Sequence, residues 1–118
     1  MARIRSIKPS FWGDEDVASL SREARLVLLG LISMADDDGR FLASPTAVGG
    51  YLFPHDDIPS TKLKGWLKEI ETKAASTARF YEVNGKRYGW LPNYRKHQRI
   101  SHPQESPLPA PPGEETLL

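Results

Sequence analysis

The fold class predicted is α+β: three main helices, a small antiparallel sheet built on a β-hairpin, and a proline-rich tail without structure. Three observations in the 118 residues predict it. The stretch Ser60 to Lys73 places Leu63, Trp66, Leu67 and Ile70 at i, i+3, i+4 and i+7, a one-sided apolar stripe of helical period. Directly after it, Arg79-Phe-Tyr-Glu-Val-Asn-Gly-Lys-Arg-Tyr-Gly-Trp-Leu91 carries Asn84-Gly85 between two strand-like runs. Both turn residues tolerate the positive φ of a type I′ turn, the strongest short-range hairpin signal. Earlier, Ala24, Val27, Leu28, Leu31, Met34 and Ala35 form one face of another helix. A lysine-bearing helix running into a basic two-stranded ribbon is how a winged helix-turn-helix ends.

The elements follow in order. Residues 1–20 read as an N-terminal arm, in which Ile4, Ile7, Phe11 and Trp12 are spaced to cover an apolar surface. The domain proper spans 21–100. Ser21 is an N-cap and Glu23 lies near the positive end of a helix that runs to about Ala35. Leu26 and Leu29 fall on its opposite side, so this helix needs a second partner, either the Phe11-Trp12 arm or a second subunit. Asp36-Asp-Asp-Gly39 supplies turn chemistry, centred on Asp38-Gly39, before a short strand at Arg40-Phe-Leu42. Ser44-Pro45 restarts a helix, with Ser as N-cap and Pro at N1, and it runs to about Leu52 before Phe53-Pro54. In the Ser60 helix, Thr61, Lys64, Gly65, Lys68 and Thr72 point away from the stripe, and Gly65 there costs about 1 kcal/mol against Ala. Close approach by another backbone is one reason for such a glycine.

A two-residue turn sets the hairpin register. Val83 faces Lys86, Tyr81 faces Tyr88 and Arg79 faces Trp90 on one side; Glu82 faces Arg87 and Phe80 faces Gly89 on the other. The Tyr81–Tyr88–Trp90 side is expected to pack on the helices, and the Arg40–Leu42 strand to close a small sheet with the hairpin. Residues 101–118 are proline-rich and polar, which predicts an extended, unstructured tail.

Net charge is +1, but it is divided sharply. Residues 1–8 carry +3 and residues 9–57 carry −6; residues 58–78 carry +2, residues 79–99 carry +5, and the remainder −3. A surface for a polyanion is therefore expected from the N-terminal arm (Arg3, Arg5, Lys8) together with residues 60–99. There is no cysteine, which excludes disulfides and thiolate metal sites. No apolar run approaches the roughly 20 residues of a membrane span, and the basic N-terminus lacks the apolar segment of a secretory signal. An intracellular location is compatible with these features.

Candidate nucleic-acid contacts follow from the charge. In a helix-turn-helix the N-terminal half of the second helix enters the major groove, where Ser60, Thr61, Lys62, Lys64 and Lys68 can donate to phosphates or base edges. Lys86 and Arg87 sit at the hairpin tip, with a cross-strand pair to Glu82 as the ordinary reading of Arg87. Arg95, Lys96 and Arg99, beside Tyr94 and His97, form a basic arm that tracks phosphates or simply a basic linker. Phe11, Trp12, Leu26 and Leu29 are the candidate protein interface. Three adjacent aspartates in one turn cannot all converge on a cation, and the histidines at 55, 97 and 102 are scattered, so no metal is expected. No Gly-x-Ser-x-Gly elbow or glycine-rich phosphate loop is present, so neither an enzyme nor a cofactor site is expected.

Several strings resemble a known family. They are Ile4-Arg-Ser-Ile-Lys-Pro-Ser-Phe-Trp12, Leu20-Ser-Arg-Glu-Ala-Arg25, Ala35-Asp-Asp-Asp-Gly-Arg40 and Trp90-Leu-Pro-Asn-Tyr-Arg-Lys-His-Gln-Arg-Ile100. Over roughly residues 2–103 the chain is similar to the N-terminal winged-helix domain of phage and prophage replication proteins of the replisome-organizer type, which include DnaD-like helicase-loading factors. The resemblance implies a DNA-binding module in replication initiation, acting by origin binding or replisome organisation. Its implied partners are double-stranded DNA and helicase-loading proteins, and its implied location is cytoplasmic, in a bacterial host cytoplasm or nucleoid; the second apolar side of the first helix, at Leu26 and Leu29, adds a homodimer as an expectation. Two alternatives from other classes are a protein-interaction scaffold for helicase loading without DNA contact, and a transcriptional regulator of the same fold. The sequence departs from the family at Glu71-Thr-Lys-Ala-Ala-Ser-Thr-Ala78, polar and small where a Gly-Leu-Ile-type step is usual, which predicts a looser exit from the helix. Proteins of this type often continue into a second domain that contacts the helicase machinery or DNA.

Overall fold

Helix, strand, two helices and a hairpin succeed one another in the computed structural model, which describes residues 3–113. Helix α1 spans Ser10–Gly13, α2 Glu15–Ala18, α3 Arg22–Met34, α4 Pro45–Leu52, α5 Ser60–Lys73 and α6 Tyr94–His97. Strands β1 (Arg40–Leu42), β2 (Arg79–Val83) and β3 (Lys86–Trp90) form one antiparallel sheet in the order β1-β3-β2. The protein is thus α+β with a small three-stranded sheet.

Helices α3 and α4 start where their cap chemistry places them, whereas α5 follows Pro59 without a side-chain cap. Ser21 Oγ accepts from Ala24 N–H at 3.1 Å, and Ser44 Oγ accepts from Ala47 N–H at 3.1 Å ahead of Pro45. Such caps contribute about 1 kcal/mol each. Val27, Leu28 and Leu31 of α3 are wholly buried against Leu63, Leu67 and Ile70 of α5, and each such side chain contributes about 1.5–3 kcal/mol. Helix α4 packs on both α3 and α5: a Cβ at Gly30 would sit 2.4 Å from a Leu52 methyl, and one at Gly49 would sit 2.8 Å from Leu63. Helices α1, α2 and α6, four residues each, have no apolar period long enough to announce them, although Asp14 caps α2 by accepting from Asp16 N–H and Val17 N–H.

The exit from α5 is tight where looseness was expected. Ala74 and Ala78 are fully buried, and Ala78 N–H donates to Ala74 O at 3.0 Å. Small side chains let the turn press onto the core, which a bulkier step cannot do.

The register is the expected one throughout the hairpin, from Val83↔Lys86 to Arg79↔Trp90. Asn84 and Gly85 take the positive φ values of the turn, 53° and 79°. Strand β1 adds Arg40↔Trp90, Phe41↔Gly89 and Leu42↔Tyr88.

The assignment of the two faces is corrected. The side on the helices is the row Phe41–Gly89–Phe80: Phe41 is buried in the core, and Phe80 packs on it edge-to-face at 5.9 Å. Gly89 makes this row fit, because a Cβ there would lie 2.3 Å from the Phe41 ring. Tyr81, Tyr88 and Trp90 form the outer face instead. They are covered by the proline-rich segment, which was expected to be unstructured. Across residues 101–113 that segment has no regular secondary structure but is hydrogen-bonded along its length, and Pro111 is buried. Residues 114–118 of the expected tail lie outside the described residues.

Replacing Gly89 by Ala should destabilise the fold by about 1–3 kcal/mol through overpacking against Phe41. Urea unfolding followed by circular dichroism reads this directly, and an unchanged midpoint would mean that the Phe41 ring moves aside freely.

Candidate nucleic-acid interface

Helix α5 is tied to its neighbours on both flanks by its two acids. Glu69 accepts from Ser21 N–H and, at 3.0 Å, from Ser21 Oγ, tying one flank to the start of α3. Glu71 on the other flank takes Arg87 of β3 at 2.7 Å. Between these ties, and opposite the buried Leu63–Leu67–Ile70 stripe, runs a line of exposed residues: Thr61, Gly65, Lys68 and Thr72, flanked by Lys62 and Lys64. No hydrogen bond or ion pair holds the ammonium groups of Lys62, Lys64 or Lys68 among the described residues. A Cβ at Gly65 would meet nothing within 4 Å, so none of the described residues outside α5 approaches that point. Ser60, exposed at the first turn, opens the same surface.

The other expected contacts divide into free and occupied cations. Lys86 at the hairpin tip is exposed and unpaired among the described residues, and so are Lys96 and Arg99. Arg87 is committed to Glu71 rather than to Glu82 opposite it, and its guanidinium lies over the Phe80 ring at 5.3 Å. Arg95 is bound to Asp38 at 2.6 Å and to the Asp37 carbonyl at 3.3 Å. Arg3 and Arg5 of the basic arm also turn inward.

Their destination is the Asp36–Gly39 turn. Gly39 N–H donates to Asp36 O at 2.9 Å, so Asp37 and Asp38 occupy the turn centre, one position earlier than expected. The three carboxylates diverge. Asp36 accepts from the N–H groups of Asp38 and Arg40, both at 3.0 Å, and from Ser106 Oγ. Asp38 takes Arg95 and Ser106 N–H, the latter at 2.9 Å. Asp37, 5% exposed, receives Arg5 at 3.0 Å, Arg3 at 3.6 Å and Gln104 N–H at 2.9 Å. Arg5, itself buried, also donates to Ala35 O at 3.0 Å and stacks over Tyr94 at 5.2 Å. The Gln104 N–H chiefly, then the two guanidiniums, holds the Asp37 carboxyl below its ordinary value of 3.8 against the opposing effect of burial. The Arg5–Asp37 pair carried no periodic signal. Its only trace in the sequence was an arginine-rich arm matched by three adjacent aspartates. Among the described residues no group of three or more ligating side chains is arranged for a metal ion.

The apolar candidates do not come together as one face. Phe11 is half-buried and lines a cleft of about 320 Å³ with Ile32, Leu91 and Tyr94. Trp12, 57% exposed, stands edge-on to Phe11 at 5.1 Å. Leu26, 54% exposed, lies about 120° around α3 from Ile32, at 100° per residue, and Leu29 is half-buried between them. Among the described residues no helix is long and apolar enough to cross a membrane.

No protein-family model, curated protein or solved structure matches this chain.

Asp37→Asn should lower stability at neutral pH by about 3–5 kcal/mol, since it leaves the buried Arg5 guanidinium without a counter-charge. Because the folded-state pKa of Asp37 is depressed, its contribution is complete above pH 3.8 and is lost as pH falls through the folded value. The gap between wild type and variant in urea midpoint should therefore be constant from pH 7 to about 5 and close towards pH 2. A gap independent of pH would show that the carboxylate charge is not what holds Arg5.

Proposed function

We propose that this chain is a winged helix-turn-helix module that binds double-stranded DNA, with α5 as the recognition helix and the β2–β3 hairpin as the wing. The observation that carries the reading is the outer stripe of α5. Its acids are withdrawn into ties on either flank, while Lys64 and Lys68, about 40° apart around the helix, are left exposed and unpaired, with an exposed Lys62 on the opposite edge of the stripe. The helix–strand–helix–helix–hairpin order and the β1-β3-β2 sheet support the same reading, since they place α5 and the hairpin tip next to each other in the chain path. Lys62, Lys64, Lys68 and Lys86 then neutralise phosphates. Thr61 and Ser60 reach groove edges, and bare backbone at Gly65 admits close approach. Lys96 and Arg99 extend the contact along the duplex, while Arg3, Arg5, Arg87 and Arg95 serve the fold.

The role in phage or prophage replication initiation, by origin binding or replisome organisation, rests on the resemblance of the Ile4–Trp12, Leu20–Arg25, Ala35–Arg40 and Trp90–Ile100 strings. Helicase-loading proteins are the partners that role brings. A second reading, an interaction scaffold, is favoured by the exposure of Trp12 and Leu26, which DNA contact does not use.

Fluorescence anisotropy with a labelled mixed-sequence duplex tests the proposal. Affinity should fall linearly with salt on a log–log plot, by about 0.9 in slope for each neutralised phosphate. Lys64→Glu/Lys68→Glu should flatten that slope by about 2 and weaken binding at least tenfold. Arg95→Gln, whose guanidinium is already bound, should leave binding unchanged. Absence of binding at low salt, or a slope that the double variant does not move, sinks the DNA reading and turns attention to Trp12 and Leu26.

A further inference from the structure

The outer face of the sheet is chemically one-sided. Tyr81 and Tyr88 stack at 5.6 Å, Trp90 meets Tyr81 edge-on at 6.2 Å, and Arg79 lies over Trp90 at 5.8 Å. Arg40, paired with Trp90 across the strands, stands at the edge of this aromatic patch. The face thus offers flat apolar surface and hydrogen-bond donors. The segment lying on it, Ser106-Pro-Leu-Pro-Ala-Pro111, offers the converse: each proline lacks an N–H and presents only a carbonyl acceptor, with φ already fixed near −65°. Arg40 donates to Leu108 O at 3.0 Å, and the Tyr81 hydroxyl donates to Pro109 O at 2.7 Å. Burial pushes the Tyr81 phenol up to about 12, so it stays a donor across the working pH range. The Tyr88 hydroxyl and the Trp90 indole N–H, on the same face, have no hydrogen-bond partner among the described residues. The strap uses two donors of a face that offers more.

We propose that this aromatic face is a binding surface for extended proline-rich segments of other proteins, and that residues 106–111 are its resident ligand. Recognition of proline-rich chain by aromatic grooves with donors to carbonyls is a recurring mode of peptide binding. Tethering gives the resident segment a local concentration of order millimolar, so a weak intrinsic fit suffices to fill the face, and a partner binds by displacing it. The clamp on the strap lies off the face, at Ser106, whose N–H reaches Asp38 at 2.9 Å and whose hydroxyl reaches Asp36. Release is therefore separable from recognition.

The test uses the full chain and a fluorescein-labelled peptide of sequence ESPLPAPP, followed by anisotropy. Ser106→Glu sets a carboxylate against Asp36 and Asp38 and frees the strap without touching the aromatic face. Pro107→Gly/Pro109→Gly/Pro111→Gly loosens the strap independently and leaves the aspartate turn intact, so either folded variant reports. Each should bind the peptide at least tenfold more tightly than wild type. Tyr81→Phe in the same background should reverse most of the gain, and a peptide with all four prolines replaced by Ala should bind at least tenfold more weakly. If the folded, strap-released chains bind no better than wild type, or bind the alanine peptide equally well, the face is only a packing surface for its own tail and the proposal fails.

Discussion

The buried contact between Arg5 and Asp37 is the constraint on which the periphery of this protein depends. Asp37 sits at the centre of the turn between α3 and β1, so its position follows from two core elements. Arg5 reaches both that carboxylate and the last turn of α3 through Ala35 O. Burying two charges costs several kcal/mol of solvation, and one ion pair seldom recovers it. Here the carboxylate also accepts from Gln104 N–H, and the guanidinium also lies over Tyr94. The N-terminal arm reaches this turn through Arg3 and Arg5, and the strap through Gln104 and Ser106. Both are held by converging on one charged turn.

The sheet then works as a partition. Its inner row, Phe41–Gly89–Phe80, belongs to the core shared with the helices, and its outer row belongs to the strap. Glycine at the centre of the inner row lets a ring from β1 reach across β3 to a ring on β2. The outer row keeps its side chains large and aromatic. One three-stranded sheet therefore presents two unlike surfaces, and β3 contributes to both.

What sequence could reveal divides along the range of the interaction. The main helices and the hairpin register were legible because apolar spacing in Ser60–Lys73 and the Asn84-Gly85 turn are local signals with local causes. The face of the hairpin was misread because aromatic residues occur on both sides. Only the arrival of Phe41, far away in sequence, shows that Gly89 is a slot rather than a gap. The strap was misread for a related reason. Composition reports that it cannot build a core, but not that Asp37 and Asp38 wait with acceptors for its backbone and Asp36 with one for the Ser106 hydroxyl. Charge counting met the same limit at the candidate interface: it treats Arg5, Arg87, Arg95 and Lys64 alike, whereas among the described residues only the first three have a carboxylate within reach.

The opposed ties at Glu69 and Glu71 have an evolutionary consequence. They add to the buried stripe in fixing the roll of α5 about its own axis, without help from the residues that face outward. Thr61, Gly65 and Lys68 thereby carry no side-chain tie to the rest of the described fold. Those three positions can drift through sequence space while the scaffold beneath them stays put, so the chemistry of this outer stripe can change independently of the fold that presents it.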